Sequence, residues 1–159
     1  MGYSTDFTGQ FVLDKALTKE HEEILLKFSS TRRMARDLTK LGMSDEEAAK
    51  YGSEGAYYVD GKGFQGQDKD PSVIAGNRPP EGQPGLWCQW IPKHDGTAIV
   101  WDEGEKFYAY VEWIKYLIVH FLEIWGHKLN GEVKWQGEDI NDRGKITIVD
   151  NEVSVTELE

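Results

Sequence analysis

The residues with the widest chemical reach are three arginines, Arg32, Arg33 and Arg36, set within five positions of an otherwise acidic chain. Each guanidinium is a planar fork of donors that fits a phosphate or carboxylate, so three together suit an anion clamp, with Arg78 placed to join it. The bland alternative is pairing with neighbouring acidic side chains, and the charge excess favours it. Asp68 and Asp70 offer oxygens to a hard cation, but the EF-hand spacing and its distant Glu are missing, and Asp70 before Pro71 suits an ordinary turn. Gly61-Lys62-Gly63-Phe64-Gln65-Gly66 reproduces the G-x-G-x-x-G spacing. A dinucleotide site needs a helix N-terminus after the last glycine, and Gln67-Asp68-Lys69-Asp70-Pro71 stands there instead.

Other nucleophiles and ligands read as packing. His120, Glu123 and His127 match no zinc spacing, and His21 lies on the apolar stripe of an expected helix. Cys88 sits between aromatics as a small buried hydrophobe, and no serine occupies a G-x-S-x-G context. No catalytic residue, metal or cofactor is therefore assigned. The strongest compositional signal is six tryptophans. Trp87 and Trp90 differ in parity along one expected strand, so one points away from the shared core face. With Gln89, Gln136, Glu138 and the arginines, such aromatics suit either a nucleotide platform or a protein interface.

The elements that must position these groups follow from periodicity. Phe107, Tyr110, Val111, Ile114, Leu117, Ile118, Phe121, Leu122 and Trp125 mark one face of a long helix. Asp102 and Glu105 are placed to cap its start and Gly126 to close it, with Trp113, Tyr116 and Ile124 off the main stripe. A first strand is expected over residues 6–14 and a helix opening at Thr18 and fraying near Ser30, with His21, Ile24, Leu25 and Phe28 as its core stripe. A short helix over 44–52 and a strand over 55–60 follow. The stretch 60–85 holds four of the five prolines and reads as a long Gly/Pro-rich loop partly packed down. Leu86–Ile91 and Thr97–Trp101 predict a hairpin, and Leu129–Gln136 a half-exposed strand. Lys145–Val149 and Glu152–Thr156 predict a second hairpin that buries Ile146, Ile148, Val153 and Val155. The resulting fold class is α+β in a single domain, residues 1–159: a mostly antiparallel sheet of about six to seven strands with two main helices on one face.

A length of 159 residues bounds the chain to about one domain. Its net charge of −10 opposes non-specific nucleic-acid binding. From Asp102 onward there are 13 acidic and 6 basic side chains, a surface for solubility or for a basic partner. No apolar run reaches the roughly 18 residues of a membrane span, and the start has no secretory or myristoylation pattern. The single cysteine fits a reducing compartment. These features set the expectation of a cytoplasmic protein away from membranes.

Gly2–Gly9, Thr31–Met34, Gly82–Trp90, Gly104–Tyr108 and Leu129–Asn130-Gly131 through Trp135-Gln136-Gly137-Glu138 carry a resemblance. On these blocks the chain resembles small uncharacterised proteins encoded by bacteria and their phages. That resemblance implies a bacterial or phage cytoplasmic origin and brings no catalytic residues. The expected function is a non-enzymatic binding protein acting on a protein partner. The alternatives are a nucleotide or other anion site under the 60–85 loop, enzymatic or not, and a homo-oligomeric structural protein.

Overall fold

A computed structural model describes residues 3–30, 33–36, 73–75, 77–79 and 82–157. The expected elements at 44–52 and 55–60, the glycine pattern at 61–66, and Arg32, Asp68 and Asp70 lie outside the described residues.

Strand β1, Thr5–Leu13, alternates inward Thr5, Phe7, Phe11 and Leu13 with exposed residues between them. It pairs along its whole length with β6, Leu129–Gly137, in antiparallel register from Thr5↔Gly137 to Leu13↔Leu129. Two glycines permit this central pairing. Gly9 (φ 112°) and Gly131 (φ 138°) adopt backbone that side-chain-bearing residues avoid, and a Cβ at either would stand 2.6–2.7 Å from a carbonyl oxygen of the facing strand. Around them lies an antiparallel sheet of six strands in the order β4-β5-β1-β6-β7-β8. The remaining members are β4 (Trp90–Pro92), β5 (Ala98–Trp101), β7 (Arg143–Val149) and β8 (Glu152–Glu157). A short ladder joins β2 (Ala35–Arg36) to β3 (Val73–Ala75), so part of the expected 60–85 loop is paired strand.

Two helices cover the face that carries Phe7, Phe11, Val133 and Ile146. Helix α1, Lys19–Ser30, opens as expected, with the His21 N–H donating to Thr18 Oγ1 at 3.1 Å. Leu25 and Phe28 face the core and His21 stacks on Trp125. Helix α2 departs from expectation. It spans only Tyr110–Leu117 and continues as a π-helical turn over Ile118–Leu122, where Glu123 N–H reaches back to the Ile118 carbonyl. Asp102 and Glu105 do not cap it. The backbone there bonds elsewhere: Asp102 N–H donates to the Gln89 carbonyl, and the Glu105 carbonyl accepts from the Gln89 side chain. Glu103, Lys106 and Ala109 at positive φ then break any helical path. Trp113 and Tyr116, off the expected stripe, are buried, whereas Ile124, beyond the π turn, is exposed, and Gly126 (φ 80°) closes the segment.

The core is aromatic. Phe7 meets Tyr110 at 5.0 Å, Trp90 and Trp101 at 5.2 Å and Phe107 at 5.6 Å, all edge to face, the arrangement favoured by ring quadrupoles. The β7–β8 hairpin turns through Asp150 and Asn151, both at positive φ as a tight two-residue turn requires. It buries Ile146 and Ile148, but Val153 is half-buried and Val155 exposed, because the helices stop short of this edge. The strand expected from Leu86 begins only at Trp90.

Candidate functional site

Where the chain enters β4 and leaves β5, a cleft of about 450 Å³ opens against α1. Trp87, Gln89, Asp102 and Glu105 line it, with Leu26 and Ile91 as apolar walls. Gln89 builds the site. Its amide nitrogen donates to the Glu105 carbonyl at 2.7 Å and its amide oxygen accepts the Trp101 indole N–H at 3.1 Å. Both ends of this buried side chain are thereby fixed, and the 102–105 segment is drawn across the cleft. Asp102 then accepts the Gly104 N–H at 2.7 Å. A Cβ on Gly104 would stand 2.8 Å from Asp102 Oδ1 and 3.0 Å from Gln89 Oε1, so a side chain here would have to push the Asp102 carboxylate aside.

Crowding by these walls raises the Asp102 carboxyl above its ordinary range, although the Gly104 N–H pulls the other way. Ser29 and Ser30 complete the rim, but their hydroxyls donate to the Trp90 and Leu26 carbonyls. Cys88, behind the cleft, is fully buried and desolvation pushes its thiol up to about 12, far from a reactive thiolate. The arrangement offers negative charge, an indole and apolar walls. It suits a cation better than an anion, since the carboxylates repel phosphate.

The sequence-predicted residues are dispersed. Trp87 and Gln89 share the cleft, whereas Trp90 lies in the core with its indole N–H on the Tyr110 carbonyl at 2.8 Å. Arg33 is 1% exposed: its guanidinium covers the Phe28 ring at 4.1 Å and its Nε donates to Gln83 Oε1 at 3.2 Å. Gln83 in turn donates to the Tyr116 hydroxyl at 3.3 Å, so Arg33 belongs to a buried polar chain and not to a surface clamp. Arg78 is exposed, with its carbonyl accepting from Ala35 N–H, and Arg36 contributes backbone to β2. Gln136 donates to the Gly137 and Asp139 carbonyls, and Glu138 accepts the Ser4 N–H, which closes the loop at the end of β6.

Asp102 and Glu105 were assigned by sequence to a helix cap; the signal for them was two acids following Trp101 in a run with Gly104. The histidines stay packed, His120 against Tyr116 at 4.2 Å and buried His127 with Nδ1 3.6 Å from Asp14. Among the described residues there is no cluster of three metal-ligating side chains, and no helix is long and apolar enough to cross a membrane. No protein-family model, curated protein or solved structure matches the chain.

Proposed function

We propose that this chain is a non-enzymatic binding protein whose cleft seats a basic side chain of a protein partner, in the bacterial or phage setting that its sequence resemblance implies. One observation carries the reading: Gln89 bends the chain so that Asp102 and Glu105 meet Trp87 around a single cleft. An arginine entering there would place its stem on Leu26 and Ile91, its guanidinium against the indole and its donors on the carboxylates. The net charge of −10 adds long-range attraction for a basic partner. The carboxylates that favour a cation disfavour the nucleotide alternative at this position.

The test is competitive capture. Partner held by the immobilised protein should be released by a short arginine-rich peptide and should not be held by the Asp102→Asn, Glu105→Gln double variant. Equal capture by the double variant, with no competition by the peptide, would overturn the reading.

A further inference from the structure

The two edges of the sheet are finished differently. At the β4 edge the strand is three residues long and ends in Pro92, which has no N–H to offer; the Trp90 carbonyl accepts Ser29 of α1. At the β8 edge the ladder with β7 runs without a bulge from Val149↔Glu152 to Gly144↔Glu157. In a hairpin with a two-residue turn the residues flanking the turn form a hydrogen-bonded pair, and bonding alternates from there. Glu152, Ser154 and Thr156 therefore bond inward to β7, while the N–H and C=O groups of Val153, Val155 and Glu157 point out along the edge. Among the described residues no strand pairs with them. Neither proline, lysine nor bulge blunts this strand.

Beside that edge lies a groove of about 400 Å³ between β8 and the start of α2, lined by Tyr110, Val111, Trp135, Val155 and Glu157. Trp135 is held over Gly144, where a Cβ would collide with its ring, and its indole N–H donates to Asp142 at 3.0 Å. The charged side chains on the groove's face of this margin are acidic, Glu112 and Glu157, both exposed; Glu152, opposite Val149, projects from the other face. The nearest cations of β7 lie on the opposite sheet face, where Lys145 pairs with Glu132 at 3.6 Å and Arg143 is exposed.

We infer that the outer side of β8 docks an extended segment of a partner protein with alternating apolar and basic side chains. Main-chain hydrogen bonds would form along Val153, Val155 and Glu157, and one apolar side chain would enter the groove over Tyr110 and Trp135. Charge selects this occupant over a second copy, because Glu112 and Glu157 flank the groove and two chains of net charge −10 repel each other. The surface lies at the far end of the sheet from the acid and aromatic cleft, and either can fail alone.

The probe is a short synthetic peptide of alternating valine and lysine, with a valine–glutamate peptide as its counterpart. Adding the lysine peptide to isotope-labelled protein should slow amide exchange at Val153, Val155 and Glu157, leave Ser154 and Thr156 unchanged, and bind at least about tenfold tighter than the glutamate peptide. Val155→Pro removes only an outward N–H and should abolish the effect. Val155→Lys keeps that N–H but adds like charge at the seam, and should weaken the lysine peptide even if the proline variant misfolds. No response at the edge amides, equal response to both peptides, or protection that grows with protein concentration alone would each overturn the inference.

Discussion

Two polar constellations in this protein each join a glutamine and an aromatic partner to charged residues, and they end in opposite states. In the first, Arg33, Gln83 and Tyr116 form a chain packed under Phe28, with the guanidinium 1% exposed. In the second, Gln89 binds the Trp101 indole and the Glu105 carbonyl, and Asp102 and Glu105, both exposed, line a cleft. In both, a buried glutamine is the organiser. What differs is where the charged end finishes: the first charge is satisfied by the fold, and the second remains for something outside it.

That contrast can be broken at either side. The largest effect should come from Arg33→Ala, which leaves a cavity and strands Gln83, for a loss of about 3 kcal/mol in chemical denaturation and a melting point lower by on the order of 10 °C. Basic-peptide affinity of the folded fraction should not change. Gly104→Val comes next: it must displace Asp102 and Gln89, and should weaken peptide binding about tenfold while stability falls by roughly 1 kcal/mol. Trp87→Ala should weaken the same peptide by about three- to tenfold through the lost cation–π contact, read by titration of the folded variant.

The smallest effect is the sharpest in sign. Folding raises the Asp102 carboxyl, so the folded state holds that proton more tightly than the unfolded one. The group's contribution is therefore most favourable below its ordinary value of about 4 and is lost as pH rises through the folded value. Asp102→Asn should then melt slightly higher than the wild type at neutral pH, with the difference vanishing below about pH 4, while it binds the peptide less well. A melting curve taken at several pH values checks both the sign and the window. Asp14 and Asp95 shift the other way, lowered mainly by the Lys128 backbone N–H and by the Thr97 hydroxyl, so the small contribution of these exposed groups is present above the ordinary carboxylate value and is lost as pH falls.

Much of the fold was legible because its signals are local. Alternation marked β1 and β6, Thr18 marked the start of α1, and the Asp150-Asn151 pair marked the last hairpin. The α2 boundary was not legible, since the helix pattern runs back to Phe107 and only the distant Gln89 shows that the 102–105 backbone is bonded elsewhere. Val155 misled for a related reason. Its period suits burial, but whether an edge strand is covered depends on how far the helices reach. At the site, Trp87 and Gln89 were visible as an aromatic and polar run, whereas Asp102 and Glu105 looked like caps. The arginines drew attention by charge, and burial of Arg33 against an aromatic ring is a tertiary fact that no spacing encodes.

The most direct measurement is a calorimetric titration of an arginine-rich peptide into the wild type and into the Asp102→Asn, Glu105→Gln double variant at neutral pH and two salt concentrations. Saturable binding by the wild type that weakens with salt, and is reduced at least about tenfold in the double variant, is the expected result. Equal affinity of the two proteins, or no binding by the wild type, would contradict a cleft built to receive a cation.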